Sequence, residues 1–407
     1  MMLMLSSAFT AYTSAAQDTF LMSVGKTDSL RSDILGETRE YYVHLPNGGV
    51  LAEGVRYPVV YLLDGDALLG GLASVLDFHT YTHTPEVIVV AIAAGDHRTR
   101  DLTISKVDIY NNWPIAESGG SDDFLAFLET ELMPHIEKTY PTAPHRTLIG
   151  HSFAGLFTID TLARRSDLFN IFIAIDPSLK WDDQLALKRL REATQSIDLS
   201  GKTLFVSLAN EIPRFSDTLS IDDVPQDTTE FSLGMRTTLE LTAMLDADST
   251  SGLRFAWKYY EGDLHGSVPL VSMIDGMMFA FDWWELESPS LFNDPSTPTD
   301  RLVEIVRNRA EKLTANLGYP MAMEEELLEM MGFMAAEMEQ LDKARAFFEL
   351  AVEYYPESAA AHDAKAEFHM SQEEFRVALV NANEAARISP SPERLSRIEL
   401  LESKGRK

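Results

Sequence analysis

The sequence contains no cysteine, and this absence excludes several kinds of chemistry. Without cysteine the chain can form no disulfide, no thiolate metal site and no cysteine nucleophile. It also has no apolar run as long as the roughly 18 residues that a membrane-spanning helix needs. Basic residues are scarce, since 34 Lys and Arg face 63 Asp and Glu for a net charge of −29. That charge repels phosphate backbones and argues against a nucleic-acid-binding protein.

The chain is long enough for two or three domains, and 45% of its 407 residues are hydrophobic. Residues 1–16 are apolar and rich in small side chains, which is typical of a signal peptide, although the first cation is Lys26. A disordered tail or an irregular first strand is the alternative. We therefore expect a periplasmic or secreted protein, with a cytoplasmic location as the alternative.

Residues 17–287 are predicted to form an α/β domain. Continuous apolar runs at 59–63 and 87–94 are typical of strands buried on both faces of a parallel sheet. Residues 123–135 place apolar side chains on one helical face. Further strand patterns occur at 41–45, 147–149, 171–175, 203–209 and 255–260. Strands that alternate with helices predict a doubly wound, mostly parallel sheet of the α/β-hydrolase type.

A proline-rich linker is predicted at 288–300, and an all-helical domain at 301–407 with a first helix beginning at Arg301. Small residues and prolines recur there at the spacing of tetratricopeptide repeats: Gly332, Ala344, Phe348, Ala351 and Pro356, then Ala378, Ala385 and Pro390. Two such units are too few to be stable alone. We expect them to pack on the α/β domain, on a second copy of the chain in a homodimer, or on a protein partner.

The strongest chemical motif is Gly150-His151-Ser152-Phe153-Ala154-Gly155, between a predicted strand and a predicted helix. This strand–turn–helix context is that of a nucleophile elbow, which exposes a serine hydroxyl on a tight turn. The turn requires small residues two positions either side of the serine, and Gly150 and Ala154 meet that requirement. The motif predicts Ser152 as a nucleophile.

A serine hydroxyl needs a base, and His265 is the best candidate. Other histidines precede the motif, neighbour the serine or belong to the helical region, whereas His265 follows the last predicted strand of the α/β domain. The chain order Ser, acid, His then places the acid after the strand at 203–209, so Glu211 is the first choice. The alternatives are no acid at all, with Ser152 and His265 acting as a dyad, or one of Asp217, Asp222, Asp223 and Asp227.

Two backbone amides are predicted to form an oxyanion hole. The elbow points the N–H of Phe153 into the space beside Ser152. The second donor is expected in the loop after an early strand, where Asp64-Gly65-Asp66 follows the run at 59–63, and we assign it to the N–H of Asp66. Arg98, Arg100 and Asp101 are expected either to contact substrate or to brace a loop near the cleft.

These motifs resemble the esterase D-like branch of the α/β hydrolases, which includes ferric-enterobactin, feruloyl and carbohydrate esterases. The resemblance covers about residues 30–285 and is carried by the following stretches: 35–39, 61–65, 98–103, 149–155, 177–181 and 265–269. It implies the same nucleophile, base and oxyanion donors as the motifs do. It also implies that Trp181 lines the substrate cleft.

We therefore expect a serine carboxylic-ester hydrolase that acts on short-chain acyl or similar small esters and needs no metal or cofactor. A siderophore, feruloyl or carbohydrate esterase is the first alternative. The second is a catalytically inert interaction protein that uses the tetratricopeptide-like array. Most of the acidic excess precedes residue 301, which disfavours strongly anionic substrates unless the local field at the cleft overrides it.

Overall fold

The protein is described by a computed structural model that covers residues 24–52, 54–80 and 82–405. The expected signal peptide at 1–16 lies outside these ranges and stays a prediction. In the described part of the chain, no helix combines the length and the apolarity that a membrane span requires.

An eight-stranded sheet forms the centre of the molecule, in the order β1-β2-β4-β3-β7-β8-β9-β10. The pairs β1–β2 and β2–β4 are antiparallel and all other pairs are parallel, so β2 alone runs against the other seven strands. The strands of the sheet are β1 (Lys26–Arg31), β2 (Thr38–His44), β3 (Tyr57–Leu62), β4 (Ile88–Ile92), β7 (Thr142–His151), β8 (Ile171–Ile175), β9 (Thr203–Ala209) and β10 (Arg254–Tyr260). A separate hairpin consists of β5 (Ile109–Tyr110) and β6 (Trp113–Pro114).

Helices cover both faces of the sheet. Those of the α/β part are α1 (Gly65–His79), α2 (Arg98–Leu102), α3 (Ser121–Phe127), α4 (Met133–Thr139), α5 (Phe153–Arg165), α6 (Leu185–Ser196), α7 (Leu233–Asp246) and α8 (Val268–Ala280). A π-helical turn at Leu128–Leu132 joins α3 to α4. The carboxyl-terminal helices are α9 (Ser290–Asn293), α10 (Thr299–Leu317), α11 (Glu325–Glu337), α12 (Leu341–Tyr354), α13 (Ala359–Ser371), α14 (Phe375–Ile388) and α15 (Pro392–Gly405).

The central strands are apolar throughout because both of their faces are buried. In β3, Val59 and Tyr61 pack into one core with α3, α4 and α5, while Val60 and Leu62 pack into a second core with α1 and α8. Each fully buried aliphatic side chain of this kind stabilises the fold by roughly 1.5–3 kcal/mol. The predicted doubly wound α/β fold is therefore confirmed, and so is the all-helical region that follows it.

The helical region packs directly on the α/β part. Leu313 and Leu317 of α10 belong to the same buried cluster as the second core of the sheet. The Arg309 guanidinium donates to the carbonyl oxygen of Trp284, and the Tyr319 hydroxyl donates to that of Arg56 over 2.5 Å. Of the three packing partners that the sequence left open, the α/β domain is the one observed.

The expected linker at 288–300 and first helix differ from the structure in detail. The short helix α9 lies within the linker, and α10 begins at Thr299 instead of Arg301 because Pro298 precedes the first helical turn. Beyond α10 the chain folds as successive antiparallel helix pairs, with Ala344, Phe348 and Ala351 buried in α12. Membership of the tetratricopeptide family stays a prediction.

One buried carboxyl group in α11 is expected to make the stability of the helical region depend on pH. Burial, with smaller contributions from Glu325, Glu326 and Asp363, raises the pKa of Glu329 to about 7 from an ordinary value of 4.5. Among the described residues, its buried Oε1 atom has no hydrogen-bond partner. A raised pKa means that the favourable contribution is complete below pH 4.5 and is lost as the pH rises through 7.

We predict that Glu329→Gln raises the free energy of unfolding at pH 8 by about 1 kcal/mol, after allowance for solvent screening, and changes it little at pH 4.5. Urea unfolding at both pH values measures the difference. Glu337→Gln, an exposed change on the same helix, serves as the matched control. An equal gain at the two pH values would contradict the prediction, because a titrating group cannot produce it.

Candidate active site

Ser152 lies on a sharp turn between β7 and α5. Its backbone has φ 63° and ψ −116°, a strained combination for a residue other than glycine. Gly150 is required there, because a Cβ atom at this position would lie 2.3 Å from the carbonyl oxygen of Ala154. This close approach is the structural reason for the small residues on either side of the serine.

The imidazole of His265 contacts the hydroxyl of Ser152. Its Nε2 atom lies 3.0 Å from Ser152 Oγ, within hydrogen-bond distance. His265 is in the loop between β10 and α8, so two loops 113 positions apart in sequence meet at the carboxyl edge of the sheet. The hydroxyl of Ser178 is a second neighbour, 3.2 Å from Ser152 Oγ.

The carboxylate at the other side of this ring belongs to Asp176, directly after β8. Its Oδ2 atom lies 2.5 Å from Nδ1 of His265, and its Oδ1 atom accepts the N–H of Ala209 over 3.0 Å. The backbone N–H of Asp176 donates to Ser207, so the residue is held from both ends. This arrangement assigns the proton on the imidazole to Nδ1 and leaves Nε2 as an acceptor for the Ser152 hydroxyl.

Glu211, the acid expected from the sequence, occupies a different position. Its Oε1 atom accepts the backbone N–H of His265 over 2.7 Å, and its Oε2 atom pairs with Arg214. The expectation was wrong because β8, and not β9, lies beside β7 in the sheet, so the residue after β8 is the one that reaches the imidazole. Among the described residues, the imidazole contacts none of the four carboxylates that were the alternatives to Glu211: Asp217, Asp222, Asp223 and Asp227.

A signal for Asp176 was nevertheless present in the sequence. The apolar run at 171–175 ends in Asp176-Pro177, which puts a carboxylate at the carboxyl end of a buried parallel strand. A parallel strand that neighbours the strand of the elbow delivers its following residue to the same edge. The strand order of the sheet was the missing information.

The two predicted oxyanion donors lie at neighbouring helix starts. Phe153 begins α5, and Asp66 is in the first turn of α1, where backbone N–H groups have no acceptor within the helix. The strands that precede them are adjacent, and the N–H of Leu63 donates to Ile149 over 2.9 Å. The Asp66 side chain points elsewhere, since it accepts the N–H of Ala94.

A bidentate ion pair holds Asp64, the residue just before α1, whose first turn carries Asp66. The Arg98 guanidinium donates to both carboxylate oxygens of Asp64 over 2.6 and 2.7 Å. Gly65 follows, and a Cβ atom there would lie 2.6 Å from the carbonyl carbon of Ala91. Glycine is therefore needed for the close approach that brings the next amide to the sheet edge.

A second ion-pair network lies behind this loop. Arg100 donates to Asp101 over 2.7 Å and to Glu37 over 2.8 Å, and Arg39 also pairs with the buried carboxylate of Asp101. Of the two roles open for Arg98, Arg100 and Asp101, the contacts observed are those of loop braces. They connect the stretches at 35–39 and 98–103 that carried the family resemblance.

Trp181 is completely buried, and this differs from its expected place on the cleft surface. Its indole N–H donates to Ser105 Oγ over 3.1 Å, and its ring packs 5.3 Å from Phe153 and 5.0 Å from Tyr110. Tyr110, on the β5–β6 hairpin, and Phe153 are the partly exposed members of this cluster. Trp181 therefore supports the aromatic wall beside Ser152 from below.

His151 forms the floor under the imidazole of His265. The two ring centroids are 4.5 Å apart. Burial, together with the charge that His265 can carry, lowers the pKa of His151 to about 4. His151 is therefore neutral at physiological pH and does not repel a protonated His265.

Comparison with known proteins finds similarity to esterases. Residues 32–201 match the family model described as "Putative esterase". The chain is 28% identical over 171 residues to the ferri-bacillibactin esterase BesA of Bacillus subtilis, a match that covers 38% of this chain and 58% of that protein. It is 33% identical over 161 residues to the apo-salmochelin esterase of Escherichia coli, which covers 36% and 49% of the two chains. The matched segments thus span about half the length of these curated relatives.

Solved structures extend the likeness to most of the chain. An IroE-like serine hydrolase from Shewanella oneidensis is 27% identical, with a TM-score of 0.66 over 81% of this chain and 99% of that one. An uncharacterised protein from Capnocytophaga ochracea shares the fold over 93% of this chain and 99% of its own, at 17% identity and a TM-score of 0.61. The fold and the strained elbow define an α/β hydrolase. Within that class, the chain is similar to the family described as "Putative esterase" over residues 32–201, which make up less than half of its length.

The different contacts of the two acids predict different effects on the reactivity of Ser152. Asp176→Asn should slow covalent labelling of Ser152 by a fluorophosphonate on the order of 10³–10⁴-fold, because the amide no longer fixes the imidazole tautomer. Glu211→Gln keeps an oxygen that can accept the His265 N–H and should stay within about threefold of wild type. Labelling rates followed by mass spectrometry measure both. The reverse ranking of the two variants would contradict the assignment of Asp176.

Proposed function

We propose that the protein is a serine carboxylic-ester hydrolase. The observation that carries the proposal is the continuous hydrogen-bonded chain from Asp176 through His265 to Ser152. The strained backbone of Ser152 and the two helix starts beside it support the same reaction. The relatives named as esterases agree with it.

In the first half of the reaction, Ser152 Oγ attacks the ester carbonyl carbon while Nε2 of His265 takes the hydroxyl proton. The carboxylate of Asp176 accepts the hydrogen bond from Nδ1–H and stabilises the imidazolium that forms. The N–H groups of Phe153 and Asp66 stabilise the negative oxygen of the tetrahedral intermediate. His265 then protonates the leaving alcohol, and an acyl-enzyme on Ser152 remains.

In the second half, water replaces the alcohol. His265 removes a proton from that water, whose oxygen attacks the acyl carbonyl carbon. Collapse of the second tetrahedral intermediate returns the proton to Ser152 Oγ and releases the carboxylic acid. Glu211 takes part only by positioning the backbone of His265.

The competing proposal of an inert interaction protein is tested by the same serine. We predict that wild-type protein hydrolyses p-nitrophenyl butyrate and is labelled by a fluorophosphonate on Ser152, and that Ser152→Ala abolishes both. The Ser178→Ala variant is the matched control, since it removes a neighbouring hydroxyl 3.2 Å from Ser152 Oγ and should keep most of the activity. A folded wild-type protein that is neither labelled nor active would refute the proposed hydrolase.

For the substrate, we propose a small ester, with a siderophore ester as a second candidate that one feature of the cleft favours. Lys180 follows Ser178 by two residues, and its Nζ atom lies 5.4 Å from the centroid of the Tyr110 ring. Partial burial lowers the pKa of this lysine, while Glu230 acts in the opposite direction. The Tyr110 ring lies 5.4 Å from that of Phe153, the residue after the nucleophile. A cation and an aromatic ring in this position suit an anionic aryl group such as a catecholate, despite the acidic chain as a whole. BesA of Bacillus subtilis and the salmochelin esterase of Escherichia coli are named for siderophores.

Replacement of this lysine separates the two substrate classes. Lys180→Met should lower kcat/KM for a catechol-bearing trilactone such as enterobactin about tenfold, because one charge-assisted contact is lost. It should leave kcat/KM for p-nitrophenyl butyrate within about twofold. Lys188→Met, an exposed change on α6, is the control and should affect neither substrate. No activity on the trilactone in wild type would exclude the siderophore candidate, and equal losses on the two esters would refute the role of Lys180.

A further inference from the structure

A large cavity lies between the α/β part and the helical region, away from Ser152. Its volume is about 1090 Å³, and it opens between the segment that leads into β3, the helix α10, and the end of α12. Tyr57 lines the cavity and is the first residue of β3. Ser152, in contrast, directly follows the last residue of the adjacent strand β7. The six residues of β3 span about 20 Å, so the cavity and the catalytic serine lie at opposite edges of the sheet.

Aromatic side chains form much of the cavity wall: Tyr57, Trp284, Tyr319, Tyr354 and Tyr355. Two of the hydroxyls are fixed, since Tyr319 donates to the carbonyl oxygen of Arg56 over 2.5 Å and Tyr355 to that of Met323 over 2.9 Å. Burial is the main cause that raises the pKa of both tyrosines to about 12, so these phenols stay neutral. Neutral rings held in this way offer the electron-rich faces to which organic cations bind.

The charged part of the lining is predominantly acidic. It consists of six glutamates and two arginines: Glu86, Glu311, Glu324, Glu325, Glu326 and Glu353, with Arg56 and Arg307. Arg307 is already paired with Glu353 over 2.9 Å. Glu324, Glu325 and Glu326 lie close enough to Tyr355 to contribute to the raised pKa of its hydroxyl. The cavity thus joins acidic side chains to aromatic ones, and an anionic ligand would be repelled.

Trp284 provides a second observation, and the Arg309 guanidinium lies 5.2 Å from the centroid of its ring. This cavity-lining side chain is only 3% exposed, and its indole N–H has no hydrogen-bond acceptor among the described residues. A buried donor without an acceptor costs roughly 1–3 kcal/mol. A ligand that brings a carbonyl oxygen into the cavity would supply the missing acceptor.

We propose that this interdomain cavity binds a small organic ammonium ion that carries an aromatic or branched apolar body and a carbonyl oxygen. The glutamates neutralise the ammonium group, the tyrosine rings receive both the cation and the apolar body, and Trp284 donates to the carbonyl oxygen. The site is separate from the ester-hydrolysing site in both place and ligand.

The test uses full-length Ser152→Ala protein, so that the esterase site consumes no ligand. L-phenylalaninamide has all three required groups. N-acetyl-L-phenylalaninamide replaces the ammonium group by a neutral acetamide, and N-acetyl-L-phenylalanine carries a negative charge. Isothermal titration calorimetry should show a Kd on the order of 1 mM or tighter for L-phenylalaninamide. Binding of the other two should be at least about tenfold weaker, because one ion pair is lost or reversed. Equal affinity for all three compounds, or no binding of the first, would overturn the proposal.

Variants place the binding at this cavity. Glu311→Gln and Glu324→Gln should each weaken L-phenylalaninamide about fivefold, whereas Glu349→Gln, an exposed change on α12 outside the lining, should not. Trp284→Phe removes the indole donor and should weaken the amide as well, with circular dichroism as the check on folding. If the two cavity variants bind like wild type, the ligand occupies another place, such as the esterase cleft, and the proposal is wrong.

Discussion

His265 is held at three points, two on its imidazole and one on its backbone N–H, and the parallel register of four strands brings those points together. Ser152, Asp176 and Glu211 follow β7, β8 and β9, and His265 follows β10. Neighbouring strands end at matching positions, with His151 opposite Ile175 and Ala209 opposite Tyr260. A parallel sheet delivers consecutive loops to one edge, so groups far apart in sequence become hydrogen-bond partners. The hydrogen bonds of the site therefore depend on a core built mainly of Val, Ile and Leu.

The surroundings of this ring decide how it can act. His151 stays neutral beneath it because burial opposes a charge there. The backbone of β9 keeps Asp176 in place. Glu211 accepts the backbone N–H of His265 and so holds the loop that carries this histidine. The ion pairs of Arg98 and Arg100 hold the two loops that face Ser152 from the other side. A preorganised site of this kind needs little rearrangement when charge develops during a reaction.

The carboxyl and amino edges of the sheet, where the parallel strands end and begin, present different sets of side chains. The carboxyl edge carries the nucleophile together with a lysine and an aromatic wall. At the amino edge the helical region adds glutamates and tyrosines to the segment that precedes β3. The helical region therefore contributes a second, acidic and aromatic environment, and packing through Leu313 and Leu317 fixes it relative to the esterase part.

Much of the fold and part of the site could be predicted from local patterns. The apolar and alternating patterns predicted seven of the eight strands of the sheet, the glycine-framed turn identified Ser152, and chain order left His265 as its base. The short hairpin that carries Tyr110 and the exposed first strand, β1, have no strong apolar pattern, and they were missed. Trp181 was expected on the cleft surface and is buried instead. A sequence motif does not tell which aromatic side chain will cover another.

The sequence by itself determined the chemistry that is available: a serine on a strained turn, a later histidine, no thiol and a strongly acidic chain. Only the tertiary structure decided which carboxylate meets that histidine and where the helical tail rests. The physical reason is that strand order and register are set by the packing of the whole core, whereas residue spacing reports only on neighbours along the chain. Asp176 and Glu211 carry the same functional group, and each follows a buried parallel strand. The positions of β8 and β9 in the sheet bring Asp176 to the ring nitrogen of His265 and Glu211 to its backbone N–H.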